Sequence, residues 1–116
     1  MDLYQIWCDL KPGVRDLDFA ERLAGWMGAL EQQGAIAGWR LTRRKLGFGP
    51  PGLGEFHIII ETENLAQLDR AFQLAAGRAG AAEAAHAGVN QLVCNFTAAL
   101  TRDFPDPGRA RGEERF

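Results

Sequence analysis

Cysteine is scarce in this 116-residue chain, with Cys8 and Cys94 the whole supply. Two thiols cannot make the disulfide framework of a small secreted domain, and their spacing is not that of zinc ligands. Both fall in apolar strand patterns, which predicts buried free thiols. Long hydrophobic runs are also missing: none approaches the roughly 18 residues that span a bilayer. The opening Met-Asp-Leu-Tyr-Gln-Ile-Trp lacks the basic and then apolar stretches of a secretion signal. The expectation is a cytoplasmic protein without a membrane partner. Charge of one sign is absent too. The formal net charge is -2, and the one basic cluster is Arg40, Arg43, Arg44 and Lys45. Binding nucleic acid takes a basic surface that neutralises phosphates, so nucleic acid is not an expected partner.

What remains is ordinary globular material. Hydrophobic residues are 47% and charged residues 24%, so the body of the chain is expected to fold as one domain. Residues 2–10 alternate as a strand, with Tyr4, Ile6, Cys8 and Leu10 on one face and Gln5, Trp7 and Asp9 on the other. After Pro12-Gly13, Asp16 or Asp18 can cap a helix, and Asp18 with Glu21 resembles a capping box. Phe19, Leu23, Trp26, Met27 and Leu30 then recur at helical spacing up to Gly34.

Alternation returns at 36–46, with Trp39 and Leu41 opposed to Arg40, Thr42 and Arg44. It returns again at 55–61, with Phe56, Ile58 and Ile60 opposed to His57, Ile59 and Glu61. Asn64 is a good N-cap for a second helix carrying Leu65, Leu68, Phe72, Ala75 and Ala76. An alanine-rich helical turn follows around 81–89. The last strand, about 92–102, sets Cys94, Phe96, Ala98 and Leu100 against Asn95, Thr97 and Thr101. The order βαββαβ is the ferredoxin-like, split-βαβ pattern of the α+β class. Right-handed crossovers put the helices on one face of a four-stranded antiparallel sheet. The domain is expected over 1–103. From Phe104, two prolines and mixed charge predict an extended or disordered tail over 104–116.

The sheet's other face must meet something. It carries Trp7 and Ile59, which are costly to leave wet, beside Asp9, Arg40, Arg44, His57 and Glu61, which are costly to bury dry. Packing on a second copy around a partly solvated cavity suits that mixture, so a homodimer with a small-molecule ligand is expected. His57 is the candidate general acid or base, with Asp9 and Glu61 as neighbouring carboxylates. Arg40 and Arg44 can clamp an anion or pair with those carboxylates. Trp7 and Asn95 complete the candidate lining.

Three readings stand beside each other here. They are a binding protein, a cofactor-independent enzyme of the monooxygenase or isomerase kind, and a purely structural assembly protein. Glu83 and His86 lie three apart on a helix, yet no further ligands join them, so neither a metal nor a cofactor is expected. Gly47-Phe-Gly-Pro-Pro-Gly matches a dinucleotide fingerprint only in form. A strand follows it rather than a helix, and two of its residues have no N–H to offer phosphate. It reads instead as a stiff loop with a lid or dimer-contact role.

The segments Tyr4–Arg15, Arg40–Gly47, Gly54–Ile58, Thr62–Asp69, His86–Asn90 and Arg102–Pro105 resemble those of a small bacterial family of uncharacterised proteins. The resemblance implies a dimeric ferredoxin-like fold, the dimeric α/β barrel, and supplies no activity. The wider barrel group is similar in architecture and includes cofactor-free monooxygenases, haem-degrading enzymes and lactone isomerases. The Asn/Trp/His set of the haem degraders has loose analogues here in Asn95, Trp7 and His57, at different places along the chain.

Overall fold

The computed structural model describes residues 1–76, 81–106 and 111–112, with the backbone alone for Ala76 and residues 81–85. The elements run β1 (Asp2–Leu10), α1 (Asp16–Gln32), β2 (Gly38–Arg43), β3 (Phe56–Thr62), α2 (Leu65–Ala76), α3 (Ala81–Asn90) and β4 (Val93–Arg102). The strands form one antiparallel sheet in the order β2-β3-β1-β4. This is the ferredoxin-like arrangement that the βαββαβ order predicts. Within a single chain the sheet stays open, with β2 and β4 as free edges, and does not close into a barrel.

The period-2 pattern does its work most plainly in β3. Phe56, Ile58, Ile60 and Thr62 are buried while His57, Ile59 and Glu61 are half-buried. The buried set packs under α1, whose Phe19, Leu23 and Met27 are fully enclosed. Phe19 meets Phe56 edge-on, ring centroids 5.2 Å apart. Each such side chain contributes about 1.5–3 kcal/mol through burial, which makes this layer the centre of the core.

Local chemistry sets the helix ends. At the close of α1, Gly34 takes φ 71, a conformation that glycine adopts without strain. Ala35 N–H then reaches Leu30 O at 2.9 Å and Gly34 N–H reaches Glu31 O at 3.0 Å, satisfying two carbonyls left over by the helix. Asn64 caps α2 as expected, its Oδ1 accepting Gln67 N–H at 2.8 Å. The start of α1 differs from expectation. Arg15 occupies the N-cap without a side-chain bond, so Asp18 and Glu21 form no capping box. Asp16 instead accepts Leu17 N–H at 2.7 Å and Arg43 Nη1 at 2.9 Å. An ion pair to β2 has taken the carboxylate that sequence alone offers as a cap.

Two strands also depart from simple alternation. β2 is shorter than the 36–46 expected, covering Gly38–Arg43, and Ile36 is buried ahead of it. Beyond its far end, Arg44 N–H still bonds Glu55 O at 2.8 Å. The returning loop passes so close to β1 that a Cβ at Gly54 would fall 2.5 Å from Cys8 N.

In β4 the pairing jumps from Trp7↔Thr97 to Asp9↔Cys94. Asn95, at φ 53, is the extra residue of a bulge. Beyond a bulge the parity of the strand reverses. Cys94 therefore lies beside Asp9 on the face away from the helices, not with Phe96 as alternation predicts. It is half-buried, and both cysteines are free. The helix-side residues of β4 are covered only in part, with Phe96 54% and Leu100 55% exposed. The tail expected over 104–116 lies for its greater part outside the described residues, and Phe104 is exposed.

Candidate functional site

Alternation in β1 and β3 turns Gln5, Trp7, His57 and Ile59 to the open face, and the register sets Trp7 directly opposite His57. Their rings stack with centroids 4.3 Å apart and planes 9° from parallel. His57 Nε2 lies 2.9 Å from Gln5 Oε1, and Gln5 Nε2 donates to Thr101 Oγ1 at 2.8 Å. One row of polar contacts thus crosses β3, β1 and β4. Burial holds the His57 pKa below its ordinary value, which favours the neutral ring. With Gln5 Oε1 as acceptor, Nε2 carries the proton and Nδ1 keeps a lone pair.

The bulge organises the other end of this face. Asp9 Oδ2 accepts Asn95 Nδ2 at 2.9 Å, and Asp9 Oδ1 accepts Glu55 N–H at 2.8 Å. Those two bonds, led by the one from Asn95, lower the Asp9 pKa. Arg44 donates to the carbonyls of Leu53 and Gly54, holding the β2–β3 loop. Asp9, Asn95 and Arg44 are therefore occupied with chain segments. His57 bonds the Gln5 amide rather than Asp9 or Glu61, so the expected histidine–carboxylate pair is not formed. Nor do Arg40 and Arg44 pair with Glu61 and Asp9. Among Arg40, Arg43 and Arg44 it is Arg43 that forms ion pairs, with Asp16 at 2.9 Å and Glu55 at 3.4 Å. Arg40 is exposed on the face, opposite Ile59 and across β3 from Gln5.

The opposite side of the sheet holds a partly open hollow. Between the strands and helices lies an apolar cavity of about 140 Å³, bounded in part by Tyr4, Trp26, Ile58, Phe72, His86 and Phe96. Trp26 packs on His86 at 4.9 Å, and Tyr4 meets Phe72 edge-on at 5.0 Å. Phe72 and Phe96 are partly exposed and make the cavity's rim. Trp26 Nε1 is buried and has no hydrogen-bond partner among the described residues. A buried indole N–H usually finds one.

Cys8 also lines this space, its thiol pushed up to about 11, first by burial and then by the nearby Asp9 charge. It is a neutral thiol, not a nucleophile. His86 faces the Trp26 ring, and the side chain of Glu83 lies outside the described residues. Among the described residues no three His, Cys, Asp or Glu gather as metal ligands.

Sequence reasoning missed this cavity because it assigned every apolar stripe residue to a filled core. The available signal was Trp26, an indole with a polar edge inside an otherwise wholly apolar stripe.

Fold and site together define a ferredoxin-like α+β protein with one open sheet face and an apolar chamber beneath its helices. The chain belongs to DUF6614, a family of unknown function whose profile matches residues 1–116. No curated protein matches it. Among solved structures it is similar to a dimeric protein of unknown function and ferredoxin-like fold from Bacteroides fragilis NCTC 9343. The TM-score is 0.57 at 12% identity, covering 88% of this chain and 95% of that one. At that identity the likeness shows the fold. None of the described helices is long and apolar enough to cross a membrane.

Proposed function

We propose that the protein binds a small, mainly apolar molecule in its helix-side cavity and works as a cytoplasmic homodimer joined through its open sheet face. The observation that carries the binding reading is the cavity itself. Its apolar walls offer a fitting apolar ligand dispersion contacts and shelter from water. The residues of the open face take the other role. Trp7, Ile59 and His57 offer a flat, half-buried surface, while Asp9, Asn95 and Arg44 brace the bulge and loop around it. The Bacteroides protein of the same fold is described as dimeric, which supports pairing. Two free thiols suit the reducing interior of a cell.

The test of binding is a toluene titration of the ¹⁵N-labelled protein. Saturable shifts are expected at Met27, Ile58 and Val89, which line the cavity. Ala71→Leu, which fills the same space, should abolish them. Shifts that fail to saturate, or that persist in the filled variant, overturn the reading.

A further inference from the structure

The helix-side cavity does not stop at its rim. Phe96, Ala98 and Leu100 alternate along the helix side of β4, and all three are exposed. On α2, Leu65 and Phe72 lie two turns apart and are exposed as well. Phe72 and Phe96 share the wall of the cavity, while Leu65 and Leu100 share that of a second, shallower hollow with Arg102 and Asp106. The sheet register sets Tyr4, which lines the cavity, directly opposite Leu100, which lines the second hollow. The two hollows therefore abut, and an apolar groove between α2 and β4 joins them. At the usual strand rise it runs roughly 13 Å from Phe96 to Leu100, about the reach of an extended decyl chain.

Its two ends differ in chemistry. The inner end is mainly hydrocarbon, with polar edges from Tyr4, His86 and Asn90. The outer end holds the ion pair of Asp2 with Arg102, and Asp106 beside it. A rigid surface laid on the groove would leave the cavity empty, whereas one flexible chain fills both. We propose that the ligand is a single unbranched alkyl amphiphile. Its chain end enters the cavity, its body lies between α2 and β4, and an uncharged hydroxyl head sits at Arg102. The proposal rests on the reading of the cavity as a binding site and adds the ligand's class and its path. The head follows from Asp2, which is 3% exposed and takes bonds from Arg102 Nε and Nη2. A carboxylate head drawing Arg102 away would strand that buried charge, and an ammonium head would compete with Arg102 for it. A hydroxyl both donates and accepts, so it meets Asp106 and Arg102 with the pair intact.

The test is a chain-length series of 1-hexanol, 1-octanol and 1-decanol titrated into the ¹⁵N-labelled protein. All three should shift Ile58 and Val89 in the cavity, and the longer two should also shift Leu65, Ala98 and Leu100. Affinity should rise about fivefold with each added pair of methylenes, as further chain leaves water. Ala98→Glu places a charge on the groove at an exposed position, and should return decanol to the affinity of hexanol while toluene binds as before. Sodium decanoate should bind at least tenfold more weakly than decanol. The wild-type series needs no variant, so a poorly folded Ala98→Glu does not obscure it. Affinity that stays flat from hexanol to decanol, or an absence of shifts in β4, overturns the groove while the cavity reading survives on toluene. Decanoate binding as tightly as decanol overturns the uncharged head. If neither the alcohols nor toluene bind, both readings fall.

Discussion

His57 joins a stack, a hydrogen bond and partial burial in one side chain. Its ring lies flat on Trp7 and donates to Gln5, and burial keeps its pKa below the ordinary value of about 6.5. The unfolded chain therefore takes up this proton before the native one does. As pH falls through about 6.5, His57 charges first in the unfolded state, and stability present above that pH is progressively lost. Asp2 and Asp9, both held below the usual carboxylate range, add their losses only near and below pH 4, so the windows are distinct. Thermal melts at pH 7.5, 6.5 and 5.5 should show a falling midpoint that is shallower in His57→Gln. Equal slopes for the two proteins would refute the assignment.

Among the elements, β4 departs furthest from its own sequence pattern. Asn95 at φ 53 sits where most residues with a Cβ are strained, and its side chain also bonds Asp9. Asn95→Ala should lose about 1–2 kcal/mol from backbone strain, plus the cost of removing one of the two donors to Asp9. Asn95→Gly removes the bond and relieves the strain, so it should be the milder change. Urea denaturation of the two variants checks the order. If alanine and glycine prove equally destabilising, the hydrogen bond rather than the backbone sets the cost. The bulge also explains why Cys94 and Asp9 are neighbours, a pairing that strict alternation forbids.

For the whole molecule the open question is what covers Trp7, Arg40 and Ile59. A second copy related by two-fold symmetry would place each half-buried aromatic or aliphatic group against its equivalent region. Ile59→Glu introduces a like-charge pair near the middle of that surface. Sedimentation velocity at tens of micromolar (a range suited to weak dimers) should then give a dimer for wild type and a monomer for the variant, with the circular dichroism spectrum unchanged. A monomeric wild type would remove self-pairing. Leu46 and Phe48 of the β2–β3 loop are exposed.

Alternation by itself determined most of this architecture. Tyr4, Ile6 and Cys8 had to share one face of β1, and Phe56, Ile58 and Ile60 one face of β3, because side chains on a strand point alternately to either side. Periodicity near 3.6 likewise determined that Phe19, Leu23 and Met27 point inward. The βαββαβ order then left one sheet face without helices. Three features were decided by tertiary structure alone. The bulge at Asn95 depends on a bond to Asp9, 86 residues away in sequence. The start of α1 is set at Arg15 rather than at a capping aspartate, with the Asp16 carboxylate engaged by Arg43 from β2. The cavity depends on how closely three helices approach the sheet, and a hydrophobic stripe specifies what is buried but not whether the space is filled.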